Sequence, residues 1–333
     1  MAEVLTSKNL RGLIPPMVTP VQVDGGLDLS AVGRLVEHMI AGGVRGIFVL
    51  GTCGEGAALS YRKRYQLVES VCEAARGRVP VLVSVSDTSY EEAMDLAEHA
   101  YASGAAAIVS TGPFFLPVPM GHLEIYFERL AEESRLPLVL YNMPGCTKFS
   151  LDPSMVARLA QNSKIIGIKD SSGDLKYVEQ LVQAVSAYDF PVLIGPEEIL
   201  VPAMRLGAVG GVHGGGVLFP AVYATRIAAF AAGNMQLAMR ADDFVQRFSK
   251  QIFPTATGRM AVIESMKQGL AVMGLCQPWV LSPLQPLEGE HRQRIERKII
   301  EFEIEAAEIC SQASSIQSGA SEVVSGMANQ RID

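Results

Sequence analysis

The sequence predicts a (β/α)8 TIM barrel with additional C-terminal helices. Three observations predict it. Eight short apolar runs lack the polar alternation of half-exposed strands, as parallel strands buried on both faces do. Amphipathic stretches of helical length separate them. The strand–helix repeats recur every 20 to 35 residues, roughly the spacing of a barrel unit. A doubly wound open sheet is the alternative, but the first run leads into Thr19-Pro20-Val21 and not into a glycine-rich dinucleotide turn.

The apolar runs are 13–18, 46–50, 81–85, 106–110, 138–141, 165–169, 191–194 and 210–212. The stretch 29–41 places Val32, Leu35, Val36, Met39 and Ile40 on one helical face, and 62–75 does the same with Tyr65, Leu67, Val68, Val71 and Cys72. Stretches 90–102, 122–134, 153–161 and 175–187 follow the pattern, and 221–232 reads as the eighth barrel helix. Asp28, Ser60, Ser89 and Asp152 precede helices as N-cap residue types. Gly42-Gly43, Gly77 and Gly104 supply the stops.

The chain has 333 residues, more than a bare barrel needs. We assign 10–232 to the barrel, 233–312 to a helical extension of the same domain, with helices at 236–253, 259–273 and 288–312, and 313–333 to a loose tail. With 49% hydrophobic and 19% charged residues the chain can build a sizeable core. A net charge of −7 without a basic block argues against nucleic acid or an anionic membrane as a partner. The five cysteines are scattered, with no CxxC pair, so a disulfide framework and a zinc site are not expected and a reducing cytoplasm fits. The uncharged stretch 99–123 holds Pro113, Pro117 and Pro119, and 206–225 holds six glycines, so neither reads as a membrane span.

In a barrel of this class chemistry sits at the C-terminal ends of the strands. Lys169 closes the sixth run. Burial disfavours its ammonium, and a neutral amine attacks a carbonyl carbon to form a Schiff base. A buried ion pair is the competing reading. Tyr141 ends the neighbouring run, from where a phenol can shuttle protons to the same carbon centre. The turn Gly51-Thr52-Cys53-Gly54 offers backbone amides with a hydroxyl and a thiol beside them, a carboxylate-binding arrangement. Glu55 reads as an acceptor for the amides of that turn. The glycine-rich 210–216 either cradles a phosphate or leaves room beside the lysine, and His213 within it is an acid, a base or a packing residue. No His/Asp/Glu cluster has metal-ligand spacing.

These residues resemble the dihydrodipicolinate synthase / N-acetylneuraminate lyase superfamily of class I aldolases. The resemblance runs from about residue 10 to about residue 286. It rests on Gly51-Thr52-x-Gly54-Glu55, on Tyr141-Asn142-x-Pro144-x-x-Thr147 and on Gly167-Ile168-Lys169-Asp170. It implies a cofactor-free lyase assembled as a homo-oligomer, usually a tetramer. It assigns the Schiff base with a 2-oxo acid to Lys169, proton transfer to Tyr141 with Thr52, and the 2-oxo acid carboxylate to Thr52 and Cys53. Gly195 and Val212 fall where relatives offer backbone contacts.

Four positions depart from the family pattern. Cys146 stands where the synthases place a carboxylate-holding arginine, and a thiol cannot make that bidentate pair. Cys53 replaces a second threonine. Phe115 stands where a relay tyrosine reaches in from a neighbouring subunit. His213 replaces a small residue. The expectation is therefore an aldolase or dehydratase acting on pyruvate or a longer 2-oxo acid, such as a 2-keto-3-deoxy sugar acid or a 4-hydroxy-2-oxo acid. The alternatives are the synthase and lyase activities that give the family its name, a barrel holding a phosphorylated ligand on 210–216, and a silent member that binds a small acid.

Overall fold

The computed structural model describes residues 5–115, 117–253 and 261–329, those beyond 313 by their backbone. Eight strands lie where the apolar runs place them: β1 (Gly12–Leu13), β2 (Ile47–Val49), β3 (Val81–Ser84), β4 (Ala107–Ser110), β5 (Leu138–Asn142), β6 (Ile165–Asp170), β7 (Val192–Ile194) and β8 (Gly210–Gly211). All pair in parallel, in the order β1-β8-β7-β6-β5-β4-β3-β2. The two ends of that order meet. Phe48 N donates to Pro15 O at 3.0 Å and Met17 N donates to Phe48 O at 2.9 Å, so the chain just beyond β1 pairs with β2 and the sheet curls into the barrel.

Strand residues alternate between two apolar compartments. One lies inside the barrel and includes Phe48, Leu82, Val109, Tyr141, Leu193 and Val212. The other, larger, lies between the strands and the surrounding helices. The strands read as unbroken apolar runs because both of their faces are buried. β1 and β8 touch most closely at glycine: a Cβ on Gly210 would sit 2.2 Å from Gly12 O and 2.5 Å from Gly12 N.

The caps act as their residue types predict. Asp28 accepts from Ala31 N at 3.1 Å, Ser89 from Glu92 N, and Asp152 from Ser154 N and Met155 N. Ser60 holds its cap position without a side-chain bond. Gly43, Gly77 and Gly104 take positive φ at the stops, where a side chain would be strained.

Among the described residues three α-helices were not anticipated: Pro144–Thr147, Leu200–Leu206 and Gly215–Leu218. Each is one or two turns long, and Pro202 and the glycines of 215–216 mask helical periodicity. The extension packs Met235–Ile252, Ala261–Val272 and Gly289–Asn329 onto the barrel. Phe219 stacks edge-on against Phe244 and Phe248, both 5.3 Å away, and each of those also meets Phe302. Residues 254–260, part of the expected 259–273 helix, lie outside the described residues, as do 330–333. The backbone of 313–329, expected as a loose tail, continues the last helix, and no proline interrupts it.

Candidate active site

β5 and β6 bring the two central residues together. Their register pairs Tyr141 with Lys169 and Asn142 with Asp170. Alternation sends the first pair into the barrel and the second outward. Outside, Asn142 Nδ2 donates to Asp170 Oδ1 at 2.7 Å, and Asn142 Oδ1 accepts from Leu151 N at 3.0 Å. Burial raises the Asp170 pKa, against the hydrogen bonds from Asn142 and Ser172 that hold it down. This polar clamp fixes the register that sets the inner pair. Inside, Lys169 Nζ lies 4.0 Å from the Tyr141 ring centroid and 4.8 Å from that of Phe48. Lys169 is 5% exposed, and no carboxylate pairs with it among the described residues, so the competing buried-ion-pair reading does not hold.

Thr52 Oγ1 and Tyr141 Oη are 3.5 Å apart, close enough to exchange a proton with little movement. Both line a cavity of 470 Å³ at the C-terminal end of the strands, with Cys146 on its rim. Lys169 does not itself line that cavity; its amine lies against the ring of Tyr141, which does. Gly195 closes β7 beside the lysine, its N donating to Asp170 O at 2.7 Å. A Cβ on it would sit 2.0 Å from Ser171 Oγ, which would have to rotate away, and 3.1 Å from Asp170 O. Val212 packs into the barrel interior with Tyr141, and its N donates to Ile194 O at 2.8 Å.

Three of the residues expected at the substrate site do not line this cavity. His213 is fully buried behind β8, where its Nδ1 donates to Gly195 O at 2.9 Å. Burial, with Arg226 and Lys169 nearby, lowers its pKa well below the usual value, so it is a neutral positioning group for the Gly195 carbonyl. Cys53 packs against the outer core and not into the cavity, and burial pushes its thiol up to about 11. Phe115 is 82% exposed, whereas its neighbour Phe114 lines the cavity. The glycine segment is no open phosphate cradle either, because Gly215 N already donates to Glu197 Oε2 at 3.0 Å.

Glu55 differs from expectation in its partners. Its carboxylate accepts from Leu281 N at 2.6 Å and pairs with Lys267, both far along the chain, and not with its own turn. Residues 281–284 of the extension consequently line the cavity. So do Ser84, Ser86 and Thr111 at the ends of β3 and β4. The strand-end rule that singled out Lys169 applies equally to these three hydroxyls. Nothing local marked 281–284. No group of His, Cys, Asp and Glu able to hold a metal ion occurs among the described residues, and no described helix is long and apolar enough to cross a membrane.

Residues 9–302 match the dihydrodipicolinate synthetase family. A 4-hydroxy-tetrahydrodipicolinate synthase of Thiobacillus denitrificans is 32% identical over 289 residues, covering 87% of this chain and 95% of the relative. The probable 2-dehydro-3-deoxy-D-pentonate aldolase YjhH of Escherichia coli is 32% identical over 279 residues, covering 82% and 92%. Among solved structures, dihydrodipicolinate synthase from Bacteroides thetaiotaomicron superposes with a TM-score of 0.84 at 38% identity, covering 88% and 98%. YagE, a prophage protein of Escherichia coli K12 solved in complex with pyruvate, gives 0.83 at 28% identity, covering 88% and 99%. The chain is thus a (β/α)8-barrel lyase and belongs to the dihydrodipicolinate synthetase family.

Proposed function

We propose that this enzyme is a Schiff-base aldolase or dehydratase acting on pyruvate or a longer 2-oxo acid, and that it lacks the synthase activity most of its relatives are named for. The observation that carries the first half is the inward pair on β5 and β6: an amine 4.0 Å from the ring of a tyrosine that lines the cavity, with no carboxylate partner among the described residues. The Lys169 amine adds to the C2 carbonyl and water is lost, leaving an iminium. In the cleavage direction Tyr141 takes the C4 hydroxyl proton, with Thr52 in contact with its Oη. The C3–C4 electron pair passes into the iminium, an aldehyde departs and an enamine remains. Protonation at C3 and hydrolysis release the 2-oxo acid and free the lysine.

The second half rests on Cys146. It lines the cavity where the family resemblance expects an arginine, and a thiol offers a second carboxylate no ion pair. The resemblance also carries assembly as a homo-oligomer, usually a tetramer, and the exposed Phe115 ring is surface that a second subunit would cover. Five free cysteines suit a cytoplasmic setting.

Borohydride with pyruvate should leave a reduced adduct on Lys169, located by peptide mass spectrometry and lost in Lys169→Ala. Tyr141→Phe should still be trapped but turn over at least about a hundredfold more slowly, the usual worth of a positioned proton donor. Folded protein that yields no adduct with pyruvate or any longer 2-oxo acid would refute the proposal.

A further inference from the structure

The cavity beside the Lys169–Tyr141 pair has a mixed lining. Thr52, Ser84, Ser86, Thr111, Thr147 and Ser282 bring hydroxyls to it. Phe114, Met143, Leu281 and Leu284 give it apolar surface. Among the described residues no arginine, lysine or histidine lines it. The carboxylate that does, Glu55, is already engaged by the Lys267 ammonium and the Leu281 amide. The amine of Lys169 is consumed as the Schiff base forms. A carboxylate or phosphate on the departing half of the substrate would therefore be desolvated without a cation, which costs several kcal/mol, roughly. An apolar substituent would instead be buried favourably against Leu281 and Leu284.

The 281–284 part of the lining is held firmly. Glu55 N donates to Thr52 O at 3.1 Å, so the turn that presents the Thr52 hydroxyl also presents the carboxylate that seats residue 281. Glu55 is 4% exposed and Lys267 fully buried, so the seat is dry. Gln285 N donates to Glu264 Oε1 at 3.1 Å, tying down the far end of the segment. A wall fixed at both ends selects by shape.

We infer that segment 281–284, seated on Glu55, is the specificity wall for the aldehyde half of the substrate, and that this half is an uncharged aldehyde with an apolar substituent. The inference rests on the aldolase reading and narrows it to 4-hydroxy-2-oxo monoacids carrying an apolar group at C4. Acidic aldehydes are the excluded class.

Two measurements test it. In the condensation direction, pyruvate is offered with benzaldehyde, hexanal, glyceraldehyde or succinic semialdehyde. Benzaldehyde and hexanal should exceed glyceraldehyde in kcat/KM, and succinic semialdehyde by about tenfold or more, the worth of one unpaired carboxylate. Leu284→Arg, at a half-buried position in the lining, should shift the preference toward succinic semialdehyde. A preference for glyceraldehyde or succinic semialdehyde overturns the inference, as does trapping without turnover of any of the four. The second measurement needs no Schiff base. Calorimetry with benzyl alcohol and benzoate should show the alcohol binding about tenfold tighter, and Leu281→Ala should weaken it. Benzoate binding equally well or better overturns the inference whatever the outcome of trapping, whereas failed trapping with alcohol binding intact overturns the aldolase reading alone.

Discussion

Glu55→Ala should be among the most damaging substitutions outside the catalytic residues. The Glu55 and Lys267 side chains are 1% and 0% exposed, and the carboxylate also accepts from Leu281 N at 2.6 Å. Removing one partner of a buried pair costs about 3–5 kcal/mol, because the remaining charge is left in a dry site. Burial already lowers the Lys267 pKa, so the orphaned lysine can shed its proton and recover part of that cost. The Leu281 amide then lacks an acceptor, adding about 1–3 kcal/mol unless water reaches it. The net expectation is a loss of about 4 kcal/mol. The double variant Glu55→Leu/Lys267→Met removes both charges and should recover most of it, since apolar replacement of a buried pair is often neutral. Urea unfolding at pH 7, followed by circular dichroism, measures both, with the slope checked so that a changed midpoint reports stability. A single variant within about 1 kcal/mol of wild type, or a double variant no better than the single, would refute the account of the seat.

Two further outcomes follow from the barrel. Burial raises the Glu197 pKa from 4.5 to about 7, ahead of the repulsion from Glu198, so the folded chain holds a proton there that the unfolded chain releases. Stability should therefore fall as pH rises from about 4.5 through about 7, by on the order of 3 kcal/mol, and unfolding at pH 5 and pH 8 should show Glu197→Gln flattening the slope. An unchanged slope in that variant would remove Glu197 as the source. Gly210→Ala places its Cβ 2.2 Å from Gly12 O, where backbone must move to relieve it. The β8–β1 pairing should loosen at a cost of about 3 kcal/mol, and hydrogen exchange at the amides of Gly12 and Ile14 should accelerate more than at β3.

How much of this was legible from sequence depends on how local each signal is. The strands were legible because burial on both faces writes an uninterrupted apolar run, and every strand falls within or beside one. Lys169 and Tyr141 were legible because strand-end polar residues in such runs have one place to point. The short helices after β5, β7 and β8 were not, since one or two turns carry no measurable period. Cys53 and His213 do not line the cavity, although both lie near enough to Lys169 to feel its charge. Glu55–Lys267 and the Leu281 contact join segments more than 200 residues apart, and no pattern in either segment announces the other.

The turn after β2 shows why these long-range contacts matter to the chemistry. A Cβ on Gly51 would meet the Phe48 ring at 2.4 Å, and one on Gly56 would meet Leu50 O at 2.0 Å, so the turn folds back tightly against its own strand. Thr19 Oγ1 donates to Gly54 O at 2.5 Å, pinning it from the β1 side. Glu55, at a φ of 54°, pins it from the extension. A turn held from three directions keeps the Thr52 hydroxyl within reach of Tyr141 without spending binding energy to place it, the form that preorganisation takes in a site built on loops. The C-terminal extension thus shapes the candidate site: without Lys267 and Leu281, the turn would lose one of its three supports and the cavity part of its lining.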